Sequence, residues 1–415
     1  MKKCLVVPGP FLPYNDTITQ LCYKHLRLLD MEYDVCALSN EAKDPDFERF
    51  LSNDPYYNKF HIHNVDKYNN VFFSIKNVNL FKGLRHMKKY IEKAVSMYDG
   101  HDYLYTNTFP CYTIRAGVEL KKTHPSIKWI ASFSDPINHS PYKYDIVRFQ
   151  SLPLPEKIAF NLYCKYYVVD EDERDAFEQA DLLVFICEEQ RDFMIEQYQK
   201  YFHRIPEEEI RKKCVIVPLN YIPEWNQFIP NLEYKPNDTY TLAHFGRIYG
   251  LRFIEEFLYA FKEFTTKYPD LKIQVEQYGE FKKTDLKLIK ELNLSSYFKI
   301  HEKVPYAECI ERMKESDAVL LFDTILDEDK IQPYLPSKIM EYSLLKKNVL
   351  AVTTKRSPSY RIMKNTDAIA CEYDRKAILK GLEELIIEKK PSVIEYATTN
   401  EEAIKQLQQR IMQMD

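Results

Sequence analysis

Short apolar or β-branched runs of strand length, each followed by a segment of helical period, alternate along almost the whole chain. That alternation predicts parallel sheets covered by helices, an α/β architecture. The first series places strands near Lys3 to Val7, Tyr33 to Leu38, Phe60 to His63, Tyr103 to Tyr105, Lys128 to Phe133, Leu182 to Ile186 and Val215 to Val217, with an amphipathic helix from about Thr17 to Asp30. Residues 220–238, rich in Pro, Asn and aromatics, interrupt the pattern and read as a linker. A second series puts strands near Thr239 to Phe245, Lys272 to Gln277, Phe298 to His301, Ala318 to Phe322, Val349 to Val352 and Ala368 to Cys371. Its helices fall near Arg252 to Lys267, Thr284 to Leu292, Tyr306 to Glu315, Ser337 to Leu345 and Arg375 to Glu388, and an amphipathic helix spans Asn400 to Met414. With 415 residues there is chain for two cores, here 1–219 and 239–397, with 398–415 as a terminal helical segment. Open parallel sheets bind ligands beyond the carboxyl ends of their strands, so two such domains facing each other would place the site in a cleft.

Several function classes are set aside by what the chain lacks. Basic and acidic residues nearly balance, 58 against 62, so a general electrostatic grip on nucleic acid is not expected. No apolar run approaches the roughly 18 to 20 residues of a membrane span, and Met-Lys-Lys-Cys-Leu-Val-Val-Pro carries no signal-peptide core, which reads as soluble and cytoplasmic. The nine cysteines form no Cys-x-x-Cys pair, so neither a zinc nor a disulfide framework is expected. Only eight residues are glycine, and two of them, Gly246 and Gly250, share one short segment.

That segment, His-Phe-Gly-Arg-Ile-Tyr-Gly-Leu-Arg from residue 244 to 252, runs from an apolar strand through a glycine turn into a helix. Gly246 lets backbone approach a ligand, and Arg247 and Arg252 bring guanidinium groups near a helix start, together a candidate phosphate site. A loop with solvated arginines is the plainer alternative. In Tyr-Leu-Pro-Ser-Lys-Ile-Met-Glu-Tyr, residues 334 to 342, Pro336 and Ser337 open a helix, and Glu341 sits one turn in, placed to accept hydrogen bonds from sugar hydroxyls. A first-turn glutamate stabilised by the helix dipole is its alternative. Asp170-Glu171-Asp172 and Asp327-Glu328-Asp329 match an Asp-x-Asp metal pattern, although the first equally reads as an acid-rich helix start. The helix near Leu80 to Val95 has Leu80, Leu84, Met87, Ile91 and Val95 on one stripe and Lys82, Arg85, Lys89 and Lys93 opposite, a face that would suit either solvent or an anionic membrane.

Gly246-Arg247 with Arg252 six positions after the glycine resembles the Gly-Arg-Leu-x-x-x-Lys signature of retaining GT-B glycosyltransferases, especially family 4. Leu335-Pro336-Ser337-Lys338 through Glu341-Tyr342 is similar to the same group's Leu-Pro-Ser-Lys-Leu-x-Glu-Tyr segment. The resemblance implies two facing Rossmann-like domains, with the second holding the nucleotide-sugar donor and a C-terminal helix returning to the first. It implies that Arg247 and Arg252 bind the donor diphosphate, Glu341 the ribose hydroxyls, and Ser337, Lys338 or nearby amides a phosphate oxygen. In the first domain it points to Asp135 and His139, after the strand ending near Phe133, as groups touching donor or acceptor sugar, and to Gly9, in the loop after the first strand, as part of a mobile loop at the reacting sugar. One departure stands out. Where many members carry a second glutamate, eight positions before Glu341, this chain has Pro333, and Asp327 or Asp329 is the candidate substitute.

The expectation is a glycosyltransferase that moves a sugar from a nucleoside-diphosphate sugar to a glycan or lipid-linked glycan, with retention and in polysaccharide or glycoconjugate synthesis. No divalent metal is expected, because arginines supply the positive charge. A nucleotide-sugar epimerase or hydrolase on the same fold and a catalytically silent binding subunit are the rival readings.

Overall fold

The computed structural model describes residues 2–14, 16–39, 45–68, 80–143, 153–228 and 238–414. The chain divides into two units, 1–224 with 399–415, and 225–398. Of the segment expected as a linker, 229–237 lies outside the described residues.

The first unit is built on a seven-stranded parallel sheet, β1 Lys2–Pro10, β2 Met31–Ser39, β3 Phe60–Lys67, β4 Tyr103–Asn107, β5 Lys128–Ser132, β6 Leu182–Phe185 and β7 Cys214–Ile216, in the order β3-β2-β1-β4-β5-β6-β7. Helices cover both faces of such a sheet, which is why β4 and β6 are buried at every position and read as continuous apolar or small-polar runs. The order reverses between β1 and β4, so the carboxyl ends of those two strands form the switch point at which open α/β sheets bind ligands.

Three expectations change here. Gly9 lies inside β1 and not in a loop after it. Its φ is 80°, the β1–β2 register shifts between Val6 and Gly9, and a β-carbon on it would meet the Pro110 ring at 2.2 Å. The Gly9 amide donates to the Tyr90 hydroxyl at 2.9 Å, and that hydroxyl donates to Cys36 O at 2.8 Å, so this glycine is fixed by packing. The first helix, Thr17–Leu26, stops short of Asp30 because the chain turns at 27–30 to enter β2 at Met31. The helix Leu80–Ser96 packs through Gly83, His86, Tyr90 and Ala94, while Leu84, Met87, Ile91 and Val95 are only half-buried. Tyr90 selects that face by reaching into the sheet; nothing is described of the Leu80 side chain.

The second unit has a six-stranded parallel sheet, β8 Tyr240–Phe245, β9 Ile273–Tyr278, β10 Phe298–His301, β11 Ala318–Phe322, β12 Asn348–Thr353 and β13 Ile369–Glu372, in the order β10-β9-β8-β11-β12-β13. It repeats the first unit's topology, with its switch point between β8 and β11. The helix expected from Arg252 begins at Glu255, since Arg252 belongs to a turn closed by its own amide on Tyr249 O. Residues 375–387 run as an α-helix, Arg375–Leu382, that continues into a π turn, Glu383–Ile387.

The terminal helices Asn400–Ala403 and Lys405–Met414 belong to the first unit. Asn400 is fully buried there, accepting from Arg27 Nη1 at 3.3 Å and donating to Lys24 O at 2.6 Å and Asn220 Oδ1 at 3.1 Å. Among the described residues no helix is long and apolar enough to cross a membrane.

Candidate functional site

The residues singled out in the second unit gather at the carboxyl ends of β8, β9 and β11. β8 leaves the sheet at Gly246, whose φ of 141° and whose N–H, donating to Tyr278 O at 3.0 Å, turn the chain sharply across the top of β9. Gly279, at the end of β9, has φ 131°, and a β-carbon there would sit 2.5 Å from Gly246 O. The two glycines let two backbones cross where side chains could not fit.

Beneath that crossing lies a polar support that the sequence did not reveal. Gln277 Nε2 donates to Gly246 O at 2.6 Å, which leaves its Oε1 to accept from His244 Nδ1–H at 2.8 Å. Burial lowers His244 to about 4, so the imidazole is neutral at physiological pH and serves as a donor.

Arg252 folds back over this loop, donating from Nη1 to Arg247 O at 3.2 Å with its guanidinium 5.1 Å from the Tyr249 ring centre. Its Nε is buried and has no hydrogen-bond partner among the described residues. Arg247 behaves differently, pairing with Glu280 at 2.9 Å while both side chains are largely exposed. The glycine loop is tied to the next one by Ile325, whose amide donates to Leu251 O at 3.0 Å.

That second loop, after β11, is organised by Asp323, which is 1% exposed. Its Oδ1 accepts from the Thr324 amide at 2.8 Å and from Gln332 Nε2 at 2.5 Å, and its Oδ2 accepts from Thr353 Oγ1 at 2.9 Å. Gln332 also accepts from the Tyr334 amide and donates its own amide to Arg356 O at 2.9 Å. The loop therefore delivers Pro333 and Leu335 buried, and the chain enters the helix Lys338–Leu344 with Ser337 as N-cap. The Ser337 side chain makes no capping bond.

Glu341 lies one turn into that helix, and its Oε2 is buried without a hydrogen-bond partner among the described residues. Lys338 faces it, raised in pKa by the Glu341 charge against the opposing effect of burial, with Nζ 5.8 Å from the Tyr306 ring centre. Burial, and then the Glu341 charge, push the Tyr306 phenol well above its ordinary range. Next in the chain, Tyr342 donates to Leu320 O at 3.2 Å, fixing the helix to the middle of β11. The two carried-over groups of opposite sign, Arg252 and Glu341, thus each keep one buried polar atom without a hydrogen-bond partner among the described residues.

The acidic loop stands apart. Asp327 pairs with Lys330 and, like Asp329, is exposed. Among the described residues no group of three or more His, Cys, Asp or Glu could hold a metal ion.

In the first unit Asp135 and His139 flank a loop held by Glu173, whose Oε2 accepts from the Ile137 amide at 2.8 Å and the Asn138 amide at 3.0 Å. Asp135 is half-buried. The His139 ring stacks on Tyr201 at 3.4 Å, and its Nδ1 meets Asn138 Oδ1 at 2.6 Å. Burial lowers its pKa. The acids Asp170, Glu171, Asp172 and Glu173 do open a helix, Asp170–Gln179. Asp172 there takes a two-pronged contact from Arg115 at 2.8 and 2.9 Å, and Asp170 accepts from Lys143 at 2.8 Å, which commits both to cations of the protein.

No known sequence family matches the chain, and no curated protein does. Solved structures match along its full length. A trehalose-6-phosphate structure from E. coli bound with UDP-2-fluoro glucose is similar at 12% identity and a TM-score of 0.61, covering 100% of this chain and 96% of that one. Sucrose-phosphate synthase from Thermosynechococcus elongatus matches at 12% identity and a TM-score of 0.59, covering 100% and 95%. The UDP-GlcNAc 2-epimerase from Methanocaldococcus jannaschii matches at 14% identity and a TM-score of 0.53, covering all of both chains. The fold is accordingly of the GT-B class, two Rossmann-like units, and its structural neighbours include GT-B glycosyltransferases.

Proposed function

We propose that this chain is a glycosyltransferase that uses a nucleoside-diphosphate sugar and transfers the sugar, with retention, to a hydroxyl of a glycan or lipid-linked glycan in polysaccharide or glycoconjugate synthesis. The observation that carries the reading is the geometry at the switch point of the second sheet, where the Gly246 crossing that bears Arg247 and Arg252 is tied through Ile325 to the loop leading into the helix of Ser337, Lys338 and Glu341. A nucleoside diphosphate has both complements: an anionic diphosphate for the guanidinium and vicinal ribose hydroxyls for the carboxylate.

In this reading Glu341 holds the ribose, while Arg252, with Arg247 and the Gly246 backbone, neutralises the charge that develops on the leaving diphosphate. Ser337, with its hydroxyl outside any cap bond, and Lys338 complete the phosphate side. Asp135 remains the first unit's candidate for contact with sugar, whereas the stacking of His139 on Tyr201 suits a ring that shapes the loop. Transfer proceeds without a divalent metal, the arginines supplying the compensating charge. The setting is the cytoplasm, with peripheral contact to an anionic membrane through the Lys82 to Lys93 helix, where Phe81 is 83% exposed next to exposed Lys82 and Arg85.

The test is a thermal-shift series with UDP, GDP and their sugars. A ligand at 100 times its dissociation constant stabilises by about 2.7 kcal/mol. Glu341→Ala removes charge-assisted bonds worth roughly 1.5 to 3 kcal/mol, so affinity for the stabilising nucleotide should fall about ten- to a hundredfold. No stabilisation by any nucleotide, or equal binding by a folded Glu341→Ala protein, refutes the site. Product analysis with the best donor separates transfer from epimerisation or hydrolysis, and turnover should persist in excess EDTA.

A further inference from the structure

The amide side chain of Gln277 is fully buried near the carboxyl end of β9, directly across the ladder from His244 in β8. Withdrawing a primary amide from water is costly unless both of its ends find partners, and here both do. Nε2 donates to Gly246 O at 2.6 Å and Oε1 accepts from His244 Nδ1–H at 2.8 Å, so the glycine carbonyl decides which way the amide faces and His244 holds it that way.

The first of those bonds acts on the peptide between Gly246 and Arg247. Space does not require glycine at 246, since a β-carbon there would come no nearer than 3.8 Å to the His244 ring, but its φ of 141° does. A residue without a side chain passes readily between conformations, and the peptide that follows it needs an outside hold. A trans peptide carries its C=O and N–H on opposite edges. With Gly246 O drawn to Gln277 of β9, the Arg247 N–H therefore faces away from β9. The next peptide is set from its other edge. The Ile248 N–H donates to Glu280 O at 2.9 Å, in the segment that continues β9, which turns Arg247 O away from β9 as well, and there it accepts from Arg252 Nη1 at 3.2 Å. The Arg247 N–H and the Arg252 guanidinium are thereby brought to one side of the loop. In the sheet order β9-β8-β11, that is the side of β11 and of the switch point.

We propose that Gln277, oriented by His244, is a positioning residue for diphosphate binding, locking the Gly246–Arg247 peptide so that the Arg247 N–H and the Arg252 guanidinium converge on one oxyanion. That the oxyanion is a diphosphate rests on the glycosyltransferase reading, whereas the hold on the peptide rests on the two hydrogen bonds of Gln277. Released from that hold, the peptide can turn over, and the oxyanion then meets a carbonyl oxygen where it had met an N–H.

Titrations of the full chain by NMR compare each nucleoside with its diphosphate: uridine with UDP, guanosine with GDP, adenosine with ADP. The ratio of the two dissociation constants isolates what recognition of the phosphates adds. A hydrogen bond to a charged group is worth about tenfold or more in affinity, so in Gln277→Met, which keeps the length of the side chain, the ratio for the best-binding pair should fall about tenfold while nucleoside binding changes less than about twofold. His244→Phe leaves the Gln277 amide unanchored and should lower the ratio roughly threefold. Glu341→Ala, acting on the ribose, should weaken nucleoside and diphosphate alike and leave the ratio where it was. A purely structural role for Gln277 would lower the melting temperature of the variants without moving the ratio. In the unaltered protein labelled with nitrogen-15 arginine, the diphosphate should shift the Arg247 amide resonance, identified by its loss in Arg247→Lys, and the nucleoside should not. A stationary Arg247 resonance, or an unchanged ratio in folded Gln277→Met or His244→Phe protein, overturns the positioning role alone. Failure of every diphosphate to bind the unaltered protein overturns the donor reading, and the role of Gln277 with it.

Discussion

A carboxyl group that is almost wholly withdrawn from water is held away from ionisation, and Glu173 is such a group. It is 1% exposed, and its Oε1 has no hydrogen-bond partner among the described residues. Burial, only partly opposed by the Asn138 and Ile137 amides, pushes its pKa up to about 8. The folded protein therefore holds this proton more tightly than the unfolded chain does. The stability it contributes is complete below the ordinary glutamate pKa and is lost as pH rises through about 8. Glu173→Gln keeps an oxygen for the two amides and removes the ionisation. The variant should match the parent near pH 4 and melt at a higher temperature at pH 8.5; parallel melting curves across that range would count against the assignment. Glu173 shows what one sequence conceals. Arg252 and Glu341 were singled out because each sits in a local motif, and the fold places both beyond the carboxyl ends of strands in the second sheet. Glu173, Gln277 and Asp323 act on partners 36, 31 and 30 positions away, in Ile137, Gly246 and Thr353, and nothing local marks them.

At the scale of elements, central strands were legible because two-sided burial forces apolar runs, and Ala318–Phe322, buried at every position, falls where the pattern put it, whereas the edge strand Phe298–His301 has no buried position. Helices were less so. Glu188–Tyr201 buries Gln190 with Phe193, Met194 and Tyr198, a mixed face with weak periodicity, and Leu80–Ser96 turns a different stripe inward from the one hydrophobicity suggests. The deciding contacts are single side chains seated on small residues. In the helix Tyr112–Thr123, Gly117 lies against the Trp129 indole so closely that a β-carbon would stand 2.4 Å from the ring. Trp129 cannot yield easily, being fully buried and bonded from Nε1 to Thr106 Oγ1 at 2.9 Å. Gly117→Ala gains about 1 kcal/mol of helix propensity, but overpacking typically costs about 1 to 3 kcal/mol and a contact this short lies at the upper end. The variant should unfold at lower urea concentration than the parent. An equal or higher midpoint would show that the helix slides to make room.

For the whole molecule, chain order and unit membership differ, because the first unit is completed only by 399–415, after the second unit has been made. Arg27 and Asp54 are paired through two contacts of 3.0 and 3.1 Å with almost no exposure, and the third edge of that guanidinium is met by Asn400. Beyond it, Ile404, Leu407 and Ile411 are buried. Burying a large aliphatic side chain contributes about 1.5 to 3 kcal/mol, so three of them account for about 5 kcal/mol or more, on the order of the whole stability of a domain. Ending the chain at residue 398 removes all three and withdraws the Asn400 amide from Lys24 and Asn220. The second unit keeps its own core, in which Phe257, Phe261 and Leu320 are fully or almost fully buried. Limited proteolysis of the shortened chain should therefore cleave within 1–224 while 238–398 stays protected, and calorimetry should show loss of one transition with the other retained. Asn400→Ala in the full chain leaves the apolar contacts and removes only the polar ones, so it should weaken the same transition by about 1 to 3 kcal/mol. Equal protection of both units in the shortened chain would mean that the terminal helices add surface to the first unit without closing it.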